Sequence, residues 1–192
     1  AGACGTSTAL GLLCAGYPSL TKTEYWDGTS WTEVADLAKG RHQVATGSVG
    51  TTTLGLCVGG SPSGTEEWNF TSTIAAGAWA SGGTLNAGRE NLAGIGPQTA
   101  ALGVGGRPSY KDENESYDGT SWTELADLNT ARFGAGGAGT QTSGLVFGGE
   151  KAGTTNSNDS EEWNGTSWTE GANLTAARVY VAGMGTQTAA LA

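Results

Sequence analysis

The stretch ESYDGTSWTELADLNTAR, from Glu115 to Arg132, decides the fold, because its tryptophan, leucine and arginine recur at fixed spacing along the chain. Trp31, Trp79, Trp122 and Trp168 are each followed six residues later by Leu37, Leu85, Leu128 or Leu174, and ten residues later by Arg41, Arg89, Arg132 or Arg178. Upstream of each tryptophan stands Glu-x-aromatic-(Asp/Asn), read as Glu24 to Asp27, Glu66 to Asn69, Glu115 to Asp118 and Glu161 to Asn164. A Gly-Thr-Ser turn leads into Trp31, Trp122 and Trp168. Self-similarity at a fixed period marks a repeat architecture and outranks any local propensity.

Working outward, each arginine is followed by a Gly/Ala-rich apolar stretch and a turn at Gly50, Gly96, Gly139 or Gly185. A second stretch then closes on the pairs Gly59-Gly60, Gly105-Gly106 and Gly148-Gly149. Counted from Gly5, the turn glycines lie 45, 46, 43 and 46 residues apart. Each unit reads as four short strands, with the Asp/Asn-Gly step marking a tight hairpin between the third and fourth. That period is too long for a hexapeptide β-helix and too rich in strands for helical repeats, and it fits one four-stranded antiparallel propeller blade. The predicted fold is therefore all-β, one propeller domain with blades at 1–40, 41–88, 89–131 and 132–177 and two strands of a fifth at 178–192. The first unit starts inside its innermost strand and the last stops after its second, so a larger ring, or an open or homo-oligomeric arrangement, is expected.

These residues resemble the Kelch repeat, whose pattern is a double glycine closing the second strand, an aromatic in the third and a tryptophan in the fourth. The likeness covers essentially the whole chain. The first unit departs from it with Ala15-Gly16 in place of two glycines, and the second carries an insertion, Thr71 to Gly77, before Trp79. The Asp-Gly-x-Ser-Trp string is also similar to the Asp box of sialidase propellers, with its internal spacing shorter by one. Copper radical oxidases share Kelch repeats, but the site that this relationship implies needs two histidines, and the chain has only His42.

Composition agrees with strands and turns. There are 34 glycines and 14% charged residues, and glycine in a helix interior costs about 1 kcal/mol relative to alanine. The net charge is −9, and four of the nine basic residues are the repeated arginines. Nucleic-acid binding is not expected, because phosphate neutralisation needs clustered Lys and Arg on one face. No stretch approaches the roughly 18 apolar residues of a membrane span, so membrane insertion is not expected either. Cys4, Cys14 and Cys57 lack zinc spacing and read as small buried residues, with a Cys4–Cys14 pair across a hairpin left open.

The repeated residues have structural readings. Trp31, Trp79, Trp122, Trp168 and the leucines would fill the wedge between neighbouring sheets. Each glycine pair would allow φ > 0 or close backbone approach. Arg41, Arg89, Arg132 and Arg178 would be buried, bonding carboxylates and carbonyls of their own or the next unit; grip on an anionic ligand is the competing reading.

No constellation for catalysis is found. Asp27, Glu33, Asp118 and Glu124 recur by repeat position instead of forming one acid pair. The loops Lys111–Asn114 and Asn156–Asp159 carry oxygen ligands without EF-hand spacing, so no metal and no cofactor are expected. Most varied among the units is the loop after the second strand: Tyr17–Lys22, Ser61–Thr65, Arg107–Glu113 and Glu150–Ser160. These loops would open on one face with the links between units, and Arg107, Tyr110 and Lys111 are the candidate anchors for a ligand.

Near-identical units rich in Thr, Gly and Ala resemble Kelch-type proteins of bacteriophage and environmental microbes. That resemblance implies a non-enzymatic structural or adhesion module on a virion, as a tail fibre or appendage, or on a cell surface. Its expected partners are a protein or glycan ligand and other virion or appendage subunits. The alternatives are a cytoplasmic Kelch adaptor binding a peptide, or the propeller of a carbohydrate-active enzyme whose catalytic residues lie outside this segment.

Overall fold

The computed structural model describes residues 2–7, 10–46, 54–60, 64–70, 77–153 and 155–192, and among them every regular element is a β-strand. Sheet I is β1 (Gly2–Ser7), β2 (Leu10–Cys14), β3 (Thr23–Trp26) and β4 (Trp31–Glu33). Sheet II is β5 (Ala45–Thr46), β6 (Leu54–Val58), β7 (Thr65–Phe70) and β8 (Gly77–Ser81). Sheet III follows as β9 (Ala93–Ile95), β10 (Ala101–Gly106), β11 (Lys111–Tyr117) and β12 (Trp122–Glu124). Next comes β13 (Arg132–Phe133), ahead of sheet IV, which is β14 (Gly136–Thr140), β15 (Ser143–Phe147), β18 (Ser160–Trp163) and β19 (Trp168–Glu170). Between β15 and β18 lie β16 (Glu150–Lys151) and β17 (Thr155–Asn156), which join β13 in a small three-stranded sheet that the repeat pattern did not foresee. Sheet V has two strands, β20 (Met184–Thr186) and β21 (Ala189–Leu191).

All pairings within the sheets are antiparallel; those of sheets I to III join sequence neighbours, and in sheet IV β15 pairs with β18 across the β16–β17 segment, so each of sheets I to IV is an up-and-down meander. The first strands of successive sheets lie against one another: β1 on β5, β5 on β9, β9 on β14 and β14 on β20. The crowding of those strands accounts for their small residues, such as the run Gly136-Gly137-Ala138-Gly139 of β14. The cores lie between sheets. Leu37 joins Cys14 and Cys57 between sheets I and II, and Leu85 joins Leu56, Val58, Tyr117 and Trp122 between II and III. Leu128 joins Ile95, Leu102, Val146, Trp163 and Trp168 between III and IV.

The hairpin between third and fourth strands is looser than the sequence suggested. It spans four residues, Asp27–Ser30 in sheet I, because the Asp27 carboxylate accepts the N–H groups of Thr29 (2.7 Å) and Ser30 (2.8 Å) and replaces a two-residue turn. Asp118 and Asn164 repeat this with Thr120 and Ser121 and with Thr166 and Ser167. The Asn164 copy shows that oxygen geometry, not charge, makes the turn.

The glycine pairs stand where expected. Gly59, Gly105 and Gly148 have φ of 72°, 65° and 68°, and their partners Gly60, Gly106 and Gly149 have 80°, 116° and 89°. A Cβ on Gly59 would meet the Arg89 carbonyl at 2.5 Å and one on Gly105 the Arg132 carbonyl at 2.6 Å, so the pair gives the next unit's arginine segment room to approach. In the first unit Ala15 adopts φ 62° without being glycine.

Two repeated residues differ from the expected burial. Trp31 is 51% exposed where Trp122 and Trp168 are 6% and 5% exposed. The physical reason is direction: each tryptophan packs on the sheet before it, and no described sheet precedes sheet I. Arg178 is exposed for the converse reason, since no described third strand follows sheet V. Trp79 is placed on β8 opposite Trp68, but its side chain, like that of Cys4, lies outside the described ones. The register of β1 sets Cys4 opposite Leu12 and not opposite Cys14. Gly50 also falls outside the described residues.

Candidate binding face

Three buried arginines fasten the frame on which the loops stand. Arg132 donates from Nη2 to Glu161 Oε1 at 2.8 Å and from Nη1 to the carbonyls of Gly148 and Asp159, both at 3.1 Å. Arg89 does the same with Glu115 (2.6 Å), Gly105 and Glu113, and Arg41 with Glu66 (2.7 Å), Gly59 and Gly64. All three arginines are at most 2% exposed, as are the three glutamates. The second carboxylate oxygen of each glutamate accepts a backbone N–H from the preceding link: Ala38 on Glu66, Asn86 on Glu115 and Asn129 on Glu161. One Arg–Glu pair thereby ties the end of one unit to the second and third strands of the next. Nη1 and Nη2 of each guanidinium are engaged in this way, and the side chains are buried, so none of the three faces an external anion.

The loops after the second strands and the links between units share one side of the molecule. Leu20 bridges Arg41, Arg107 bridges Glu90 and Ser157 bridges Arg178, while Phe133 pairs with Glu150. The candidate anchors lie here, on a shorter loop than predicted. Arg107–Tyr110 forms the connection, and Lys111 already begins β11, opposite Gly106, because the bulge at Gly105-Gly106 lets pairing resume at once. Lys111 through Asn114 therefore alternate along a strand, and their oxygens do not converge on a metal.

Arg107 and Tyr110 meet on a residue that the sequence reading missed. The Arg107 guanidinium lies 4.4 Å from the centre of the Phe133 ring, and the Tyr110 ring is 5.5 Å from the same ring. Phe133 in turn contacts Tyr180 at 6.1 Å, which is 62% exposed. The Tyr110 hydroxyl donates to Glu150 Oε1 at 3.1 Å. Lys111 does not join this group but pairs with Glu113 at 2.6 Å. Burial pushes the Glu113 carboxyl up, and the Lys111 hydrogen bond leads the effects that outweigh it and hold it below its usual range. Deeper in the same loop system, Lys151 bonds Asp159 and lowers that carboxyl too.

The first unit builds a smaller counterpart. Tyr17, 83% exposed, stands edge-on to His42 at 5.9 Å, and the Ser19 hydroxyl lies 2.9 Å from His42 Nδ1. Both groups use the residue directly after a repeated arginine, His42 after Arg41 and Phe133 after Arg132. That position varies among the units, holding His42, Glu90, Phe133 and Val179, and its variation was the signal available.

The arrangement can stack and hydrogen-bond a ligand. A cation above an aromatic face, flanked by phenols with polar tips, suits a planar or partly apolar partner such as a peptide side chain or a sugar ring. Asp27 and Asp118 are spent in turns and Glu33 bonds Lys22, so those recurring carboxylates make no acid pair. Among the described residues no group of His, Cys, Asp and Glu is placed to hold a metal ion, and no helix is long and apolar enough to cross a membrane.

No family model and no curated protein matches the chain. Among solved structures, that of YjhT is similar, with a TM-score of 0.66 at 13% identity over 90% of this chain and 65% of that one. The chain thus spans just under two thirds of that structure's length, and the likeness is one of fold alone.

Proposed function

We propose that the sheets are blades of a Kelch-type β-propeller and that the chain is a non-enzymatic structural and binding module. Its setting is a virion, as part of a bacteriophage fibre or appendage, or a cell surface. Its ligand is a protein or a glycan held on the loop face. The propeller reading is supported by the five first strands lying one against the next and by the meander in every complete sheet.

The observation that carries the binding reading is the division of labour among the cations. Arg41, Arg89 and Arg132 are consumed inside the frame, whereas Arg107 stands over Phe133 on the loop side beside exposed Tyr180. A partly exposed arginine beside an exposed tyrosine on a rigid base has the composition of an interaction hot spot.

The test is binding of the purified chain to a glycan array and to immobilised host-surface proteins, with Arg107→Ala and Tyr180→Ala alongside. Both variants are expected to melt with the wild type and to lose affinity by about 10-fold, equivalent to about 1.4 kcal/mol. Full retention of binding by both variants removes the loop face as the ligand surface.

A further inference from the structure

The outer side of sheet IV carries an open cavity of about 210 Å³, walled by Leu145, Phe147, Ser160, Glu162, Ala172 and Leu174 and closed by the β20–β21 hairpin. Its identity follows from register. In sheet II the same six positions are Leu56, Val58, Thr65, Glu67, Gly83 and Leu85, since Leu56 pairs with Glu67 as Leu145 pairs with Glu162. The N–H of Gly82 also bonds the Thr65 carbonyl as that of Gly171 bonds Ser160.

Sheet II's version of this wall is covered by two rings of sheet III. Trp122 Nε1 donates to Thr65 Oγ1 (3.1 Å) and to the Gly83 carbonyl (3.2 Å), and the Tyr117 hydroxyl bonds Glu67. The cavity on sheet IV is therefore a ready-made seat for a third-strand aromatic and a fourth-strand tryptophan.

Two further features of the same end point to the same occupant. Arg178, fourth in the series of repeated arginines, is exposed, and among the described residues no carboxylate lies within ion-pair distance of it. β21 is paired on one side only, whereas β2, β6, β10 and β15 each pair on both. In the complete sheets the strand that fills that second edge is the one that carries the glutamate partner of the arginine.

We propose that this end docks a β-hairpin of the form Glu-x-aromatic-(Asp/Asn)-Gly-Thr-Ser-Trp, the third and fourth strands of a further repeat of this kind. The hairpin pairs with β21, its glutamate meets Arg178, and its two rings enter the cavity. A second copy docked by its own sheet I is disfavoured on geometry: Glu24 lies on β3, whose edges are already held by β2 and β4. The inference rests on the packing of sheets II and III and stands whether or not the loop face binds a ligand.

The experiment appends to Ala192 a copy of this chain's own Phe147–Gly171 segment and compares thermal melting of the extended and original chains. The extended chain is expected to melt several degrees higher. Arg178→Met, or Gln in place of the appended glutamate that copies Glu161, is expected to abolish most of that gain. A trans measurement guards against misfolding of the extension: a synthetic peptide of sequence Ser160–Gly171 is titrated into the original chain, with binding expected to weaken about 10-fold in Arg178→Met. No thermal gain together with no peptide binding overturns the proposal, as does a gain or affinity that Arg178→Met leaves intact. Concentration-dependent association of the original chain that Arg178→Met abolishes also overturns it, by making a second copy the occupant.

Discussion

Replacing Arg132 by alanine removes a side chain 1% exposed and strips Glu161 of its ion-pair partner in a site 2% exposed. The carbonyls of Gly148 and Asp159 lose their donors at the same time. Removing one member of a buried pair costs about 3–5 kcal/mol, because the other charge is left uncompensated. Glu161 keeps the N–H groups of Asn129 and Thr130, which places the cost toward the lower end of that range. For a chain of this length about 3 kcal/mol lowers Tm by roughly 6–12 °C. The assay is thermal and urea unfolding followed by tryptophan fluorescence, with Arg178→Ala as the internal control. Arg178 occupies the same repeat position but is exposed, so its replacement is expected to change stability by no more than about 0.5 kcal/mol. Equal effects of the two substitutions, or an Arg132→Ala variant that melts with the wild type, would refute the view that burial and pairing give these arginines their role.

Ala15 holds the φ of 62° that glycine holds in the other units. That conformation costs an alanine about 1–2 kcal/mol, and the extra chain entropy of glycine returns about 0.5–1 kcal/mol, so Ala15→Gly is expected to stabilise modestly in the same unfolding assay. Burial, then the hydrogen bond to Glu67, push the Tyr117 hydroxyl up to about 12. The folded chain keeps a proton that the unfolded chain releases near pH 10, so this contribution is complete below about pH 10 and is lost as pH rises toward 12. Tyrosinate absorbance should show a late step that Tyr117→Phe removes. The backbone N–H groups of Ser121 and Thr120 hold the Asp118 carboxyl below its usual range. Its contribution is therefore present above the unfolded value near pH 3.9 and lost as pH falls through the folded one. Asp118→Asn should keep stability at pH 7, as the Asn164 turn implies, and should flatten the acid limb of the unfolding curve; a loss at pH 7 would mean that charge matters there.

The elements that repeat were legible because each repeated side chain does the same job against the same neighbour. Tryptophan, leucine and arginine at offsets of zero, six and ten report a wedge between sheets wherever two sheets meet. Legibility stopped where the neighbour changes. Trp31 and Arg178 carry the same letters as their buried counterparts, yet burial is a property of what packs on a residue and not of the residue. The small sheet of β13, β16 and β17 escaped notice because two of its strands form inside the longest loop, where no second unit offers a copy for comparison. Lys111 was assigned to a loop although the chain re-enters pairing directly after the Gly105-Gly106 bulge. Phe133 and Tyr180 were passed over because they follow repeated arginines by one and two residues and were read as part of the frame.

That proximity has a physical consequence. The arginine segment is anchored by buried ionic and carbonyl bonds, so the residue next to it is held in place while its side chain projects toward the loops. Phe133 is itself buried, and it packs under the loops without being part of the ion pair beneath. The Phe133 ring holds Arg107 above a base that Arg132 and Glu161 fix from below. The proposed binding residues and the ion pairs that hold the frame are thus distinct groups, so Arg107→Ala and Arg132→Ala should fail in different assays: the first in binding, the second in unfolding.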